Sequence, residues 1–150
     1  MEYMMPQAQK KILLIGGTGF VGHHLGAHLA KLGYKIELLT RSIKSNGELA
    51  YPCSQIAWDA SKDIPDSVDP NVDVIVNLAG ESVATGKWTI KRKEAIQMSR
   101  ITATQKAVTF ANRNKTPLLI QASATGFYGD TDGKKCDESS KLGRGFLAET

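Results

Sequence analysis

The run Lys10-Lys11-Ile12-Leu13-Leu14-Ile15-Gly16-Gly17-Thr18-Gly19-Phe20-Val21-Gly22 constrains the fold of this chain more than any other stretch. Residues 12–15 are continuously apolar, the mark of a strand buried on both faces. A glycine turn follows at once. From Phe20 onward apolar residues recur at helical spacing (Val21, Leu25, Leu29, Leu32) until Gly33 supplies a stop. Strand, glycine turn and helix in that order form the opening through which a dinucleotide's pyrophosphate is held by backbone. Gly16 lets the chain reverse, Gly19 clears a side chain from the pyrophosphate's path, and Gly22 lets the helix lie close to the sheet. Gly16, Gly17, Thr18, Gly19, Phe20 and Val21 are therefore candidate cofactor contacts. The free N–H groups and positive dipole end of the helix would face the phosphates. A glycine turn with no ligand is the bland alternative.

The rest of the chain repeats the strand-and-helix rhythm. Tyr34 to Thr40 reads as a second strand, and Ser42 to Ser54, with Asn46-Gly47 and Tyr51-Pro52, as loop. Gln55 to Asp59 is a short third strand, and Ile64 to Asn71 a connector with room for one helical turn. Val72 to Gly80 is a fourth strand, Thr89 to Arg113 a long helix, and Pro117 to Ala122 a fifth strand running into Ser123 to Gly129. This pattern predicts an α/β fold of Rossmann type: a doubly wound parallel sheet, strand order 3-2-1-4-5, in three αβα layers. Its crevice would open at the carboxyl ends of strands one and four. With 150 residues there is room for one domain, residues 10–150, behind a flexible tail over 1–9.

Several function classes are excluded at this stage. No apolar run approaches the ~20 residues that span a bilayer, and the start lacks a basic region followed by an apolar core, so no membrane or secretory role is expected. The net charge of +4 is scattered. Its densest run, Lys91-Arg92-Lys93, reads as a solvated helix start without aromatic interleaving, so no nucleic acid is expected as a partner. Cys53 and Cys136 lie far apart without metal-ligand spacing, which fits a reduced, cytoplasmic setting. His24 and His28 stand one turn apart but find no third ligand of matching spacing, so no metal is expected. Trp58 and Trp88 read as packing residues.

Cofactor preference is written at the end of the second strand. NAD enzymes of this fold place an acid there to accept from the ribose hydroxyls. Here the strand ends Leu39-Thr40-Arg41-Ser42. Arg41 can pair bidentately with a 2′-phosphate, and Thr40 or Ser42 can donate a further bond, so NADP is expected in preference to NAD; a solvated surface arginine is the alternative. Leu78, Ala79 and Gly80 should line the crevice beneath the adenosine ribose. Asp59 either accepts from the adenine amino group or caps the following turn. Asn77 reads as a strand-end hydrogen-bonder.

Four ordered signatures carry a family resemblance: Gly-Gly-Thr-Gly-Phe-Val-Gly at 16–22, Asn-Leu-Ala-Gly at 77–80, Ser99-Arg100 on the long helix, and Ser-Ala-Thr-Gly-Phe-Tyr-Gly at 123–129. From Lys11 to Glu149 the chain resembles the extended short-chain dehydrogenase/reductase superfamily, in the NAD-dependent epimerase/dehydratase group. It is most similar to the atypical branch labelled nucleoside-diphosphate-sugar epimerase. The resemblance implies hydride transfer between nicotinamide and a carbon bearing a hydroxyl or carbonyl, on a small-molecule substrate such as a nucleotide sugar. It places Ser123 at the family serine that bonds a substrate oxygen. It places Arg100 where ordinary members hold an Asn of the proton relay, so that it contacts ribose or pyrophosphate or else lies on the surface with a buried stem.

The resemblance also implies a substrate-binding half beyond Thr150, and there the match departs. The family's Tyr-x-x-x-Lys pair is not found; Tyr128 has Asp132 four residues on. The expected function is thus an oxidoreductase's or epimerase's NADP-binding part, inactive alone, with a non-catalytic NADP-binding sensor or scaffold as the alternative. Finally, the long helix carries two apolar stripes, Ile101-Thr104-Val108-Ala111 and Ile96-Ala103-Ala107-Phe110. In the family the corresponding helix joins a neighbour's, and the second stripe suits a homodimer across a two-fold axis; a helix packed on both sides by its own chain, or one whose second face meets a further half, is the alternative.

Overall fold

Apolar runs too short for helices form five strands in the computed structural model, which describes residues 9–45 and 47–150. They are β1 (Lys11–Ile15), β2 (Lys35–Thr40), β3 (Ser54–Ala57), β4 (Val74–Asn77) and β5 (Leu118–Gln121). All pair in parallel, in the order β3-β2-β1-β4-β5 predicted from the sequence. Of the expected tail only Gln9 lies within the described residues; its side-chain amide donates to the Gly33 carbonyl. Asn46 of the expected turn also lies outside them.

Strand β1 is central, with Ile15 paired to Leu39 of β2 on one side and Asn77 of β4 on the other. These three strands therefore end level. Pleating sends alternate residues of β1 to opposite faces. Ile12 and Leu14 pack with Ile36, Leu38 and Val76 beneath α1 (Phe20–Lys31), which contributes Leu25 and Leu29. Leu13 and Ile15 pack with Leu39 and Ile75 against Ala103, Ala107 and Phe110 of α2 (Ile90–Asn114). The result is the expected three-layer arrangement.

The second layer departs from expectation between β3 and β4. No helix forms over 64–71, only a single turn closed by Val68 N donating to the Pro65 carbonyl at 3.1 Å; Ile64, Val68 and Val72 are buried in this irregular chain and cover the α2 face of the sheet. Two prolines, Pro65 and Pro70, remove donors a helix would need. Strand β4 is also shorter than the apolar run, because Val72 is buried outside the ladder and residues 78–80 leave the sheet.

Helix α2 overturns the expected use of its two stripes. Ile96, Ala103, Ala107 and Phe110, expected to meet a second copy, are buried against this chain's own sheet. The physical reason is size: two alanines let the helix axis approach the strands, and Phe110 then fills the space at its far end. Ile101 and Val108 of the other stripe are exposed. Thr89 caps the helix by accepting from Arg92 N at 3.2 Å.

At the sheet's edge β5 pairs with β4 alone among the described residues. Leu119 packs toward α2, while Leu118 and Ile120 on the opposite face are exposed. Among the described residues no helix is long and apolar enough to cross a membrane.

Candidate functional site

A cavity of about 490 Å³ opens at the carboxyl ends of β1, β2 and β4, the crevice position expected for a doubly wound sheet. Its floor is the glycine turn. Gly16 has φ +82°, and a Cβ there would stand 2.9 Å from the backbone of Leu78 and Ala79. A Cβ at Gly22 would fall 2.5 Å from the Gly16 carbonyl, so α1 can start this close to the strand only without one. At Gly19 a Cβ would meet only the Gly16 oxygen, at 3.4 Å. The missing side chain therefore leaves room for a ligand rather than for protein. Gly19 is also the N-cap of α1, it offers no side-chain acceptor, and the first turn holds no acidic residue. The leading N–H groups and positive dipole end are thus uncompensated by side chains, which is the electrostatic form of an anion seat.

Most of the residues expected to bind cofactor are brought together here. Gly16, Thr18, Gly19, Thr40, Arg41, Asp59, Leu78, Ala79 and Gly80 all line the cavity. Gly17 lies beneath it, buried, while Phe20 and Val21 are exposed at the start of α1. Thr40 is used locally: its hydroxyl donates to the Ser42 carbonyl at 2.9 Å and accepts from Ser42 N, shaping the turn that carries Arg41. Asp59 caps its turn, accepting from Ser61 N at 2.7 Å with one carboxylate oxygen, and that bond holds its carboxyl below the usual range. Of its two expected roles this is the capping one, and it is performed from the cavity wall.

Arg100 is outside the lining. Its guanidinium donates to the carbonyls of Glu81 and Ile96, at 3.1 and 2.9 Å, and packs where a Cβ on Gly80 would intrude at 3.1 Å. Ser99 completes the hold, its Oγ accepting from Glu81 N at 2.9 Å and donating to the Ile96 carbonyl at 2.8 Å. The Ser99-Arg100 pair therefore clamps the chain that follows β4. Ser123 lies beyond the end of β5, exposed and outside the cavity lining. Asn77, fully buried, donates to Gln121 Oε1 at 2.8 Å and accepts from Ala79 N, joining β4 to β5 as a strand-end hydrogen-bonder should.

Two site residues escaped the sequence reading. Tyr51 sits in the β2–β3 loop, buried under the glycine turn, and its hydroxyl donates to the Gly17 carbonyl at 3.0 Å. Burial pushes that phenol up to about 12. Glu81 lines the cavity and accepts from two arginines, Arg41 at 2.9 Å and Arg92 at 3.0 Å, which hold its carboxyl below the usual range. No local pattern marks Tyr51, and although Glu81 directly follows the Asn-Leu-Ala-Gly signature, nothing local shows its arginine partners, which are distant in the chain. The histidines take part in aromatic edges, His24 with Phe20 and His23 with Tyr51. No group of three or more metal-ligating side chains occurs among the described residues.

Comparison with known proteins places this geometry. Residues 12–145 match the model of the NAD dependent epimerase/dehydratase family. Epimerase family protein YfhF of Bacillus subtilis is 35% identical over 142 residues, which are 93% of this chain and 46% of that protein. The structure of human epimerase family protein SDR39U1 (isoform 2) with NADPH superposes with a TM-score of 0.74 at 24% identity, covering 93% of this chain and 45% of that one. MoeE5 in complex with UDP-glucuronic acid and NAD gives 0.73 at 19% identity, with 93% and 45% covered. The chain thus spans about half the length of YfhF.

Proposed function

The chain belongs to the NAD-dependent epimerase/dehydratase family, and on that premise we propose that it is the NADP-binding part of an oxidoreductase or epimerase. The substrate would be a small molecule bearing a hydroxyl or carbonyl, with nucleotide sugars the class the family favours. The observation that carries the reading is the crevice itself: an uncompensated helix N-terminus over a glycine turn, with Arg41 and no acid closing β2. Both NADPH and NAD occur on this fold among the structures above, so the choice rests on this chain's residues. Arg41, paired to Glu81 at 2.9 Å, is 76% exposed at its side chain and within a short swing of a 2′-phosphate.

When bound, the cofactor supplies the hydride chemistry; the chain positions it. The α1 N–H groups would hold the pyrophosphate, Leu78 to Gly80 the ribose, and Asp59 the adenine amino group through the oxygen not engaged by Ser61. Ser123, beyond β5, would meet the substrate rather than the cofactor. Calorimetric titration with NADP and NAD tests this. NADP should bind more tightly, and Arg41→Ala should remove most of the gap, on the order of 1.5 kcal/mol for a charge-assisted contact in a half-open site. Ser123→Ala should leave both affinities unchanged. Equal affinities in the wild type would overturn the assignment.

A further inference from the structure

We propose that Glu81 sets the discrimination between the two nicotinamide cofactors by competing with the ligand's 2′-phosphate for Arg41. The inference rests on the role of Arg41 given above. Glu81 is the fixed member of the pair. Its N–H is bound by Ser99 and its carbonyl by Arg100, and its second carboxylate oxygen accepts from Arg92, itself tied to the Ser82 carbonyl at 2.6 Å. The Glu81 side chain is 29% exposed and that of Arg41 76%, so the arginine is the one that can leave. The contact joins the ends of β2 and β4, the two walls between which the cavity lies.

The two cofactors therefore meet this pair differently. A 2′-phosphate gains Arg41 only by taking it from Glu81, and it then faces a carboxylate that Arg92 keeps at the rim. A 2′-hydroxyl can donate to the Glu81 carboxylate without breaking the ion pair. Glu81 performs from the chain that follows β4 the service that an acid at the end of β2 performs in NAD enzymes, and it opposes the preference that Arg41 confers. Neutralising it should release Arg41 and remove a like charge from the phosphate's surroundings.

The test is titration of wild type, Glu81→Gln, Glu81→Ala, Arg41→Ala and the double variant Arg41→Ala/Glu81→Gln with NADP, NAD, 2′-AMP and 5′-AMP. Both Glu81 variants should raise the NADP-to-NAD affinity ratio by about threefold, the scale of a partly exposed ion pair. The rise should recur for 2′-AMP over 5′-AMP, shrink in added salt, and be smaller in the Arg41→Ala background. A ratio unmoved by Glu81→Gln while Arg41→Ala lowers it would overturn the proposal and leave the Arg41 reading intact. A ratio unmoved by Arg41→Ala would remove both. An equal loss for all four ligands, with a lower melting temperature, would make Glu81 a loop staple and equally overturn the proposal.

Discussion

The Tyr51 hydroxyl donates to the carbonyl of Gly17 at 3.0 Å across 34 residues of chain, fixing the glycine turn from below. The first helical N–H groups can seat a pyrophosphate only if that turn is held still, so Tyr51 is a positioning residue for the crevice. Tyr51→Phe keeps the ring and leaves the Gly17 carbonyl short of a donor. It should cost about 1–2 kcal/mol of stability, read by denaturant unfolding. Beyond that loss, NADP and ADP-ribose should bind more weakly, while 2′-AMP, which has no pyrophosphate, should bind as before. Equal weakening of all three would reduce Tyr51 to a core residue.

The ring of Tyr51 has its place because residue 26 has no side chain. A Cβ on Gly26 would lie 2.3–2.7 Å from three carbons of that ring. Gly→Ala inside a helix ordinarily stabilises by up to ~1 kcal/mol. Here the ring cannot move aside without giving up its bond to Gly17, and overpacking of this kind costs roughly 1–3 kcal/mol. Gly26→Ala should therefore lower the melting temperature, and Tyr51→Ala should relieve part of the effect in the double variant. A Gly26→Ala protein more stable than wild type would contradict this packing.

At the opposite end of the sheet, Asp69 pairs with Lys11 of β1 and also accepts from Asn71 N at 2.9 Å, while its own N–H donates to Glu37. The Lys11 ammonium, then the Asn71 bond, hold its carboxyl below the usual 3.8. A carboxyl lowered in the folded state contributes stability that is full above 3.8 and is lost as pH falls through its lowered value. Asp69→Asn should thus weaken the fold at neutral pH, and its deficit relative to wild type should narrow under acid. Parallel unfolding curves for the two proteins, displaced equally at every pH, would exclude this carboxyl as a source of acid sensitivity.

Helix α2 offers Ile101 and Val108, not Phe110, to any second copy. If a homodimer forms through this helix, Ile101→Glu should abolish it in light scattering while leaving the monomer folded. Phe110→Glu should instead unfold the chain, since it buries a charge in the α2 core. A dimer unaffected by Ile101→Glu would place the contact elsewhere.

What the sequence makes legible is whatever the chain decides locally. Strands β1 and β2 and helix α1 could be read within a residue or two because their apolar runs and glycine stops are contiguous. Arg41 and Leu78 to Gly80 could be placed in the crevice because they end strands, and topology says where strand ends go. Val72 separates two properties that apolarity merges: this valine is buried without joining the ladder. Tyr51 and the pairing of Glu81 were invisible for a different reason. A loop tyrosine and a glutamate after a strand carry no periodicity, and each acquires its role only when the fold brings a distant partner to it. The two stripes of α2 were equally apolar on paper, and only the small alanine side chains facing the strands decided which one turned inward.

Among the described residues, strand β5 is paired on one side only, beside two exposed branched side chains, Leu118 and Ile120. Such an edge is a template for one more strand of any origin. The protein's colloidal behaviour should follow from this: the net charge of +4 repels copies from one another, and electrolyte weakens that repulsion. Turbidity in concentrated solutions should therefore rise with ionic strength, and Ile120→Lys, which plants a repelling charge on that edge, should clear it.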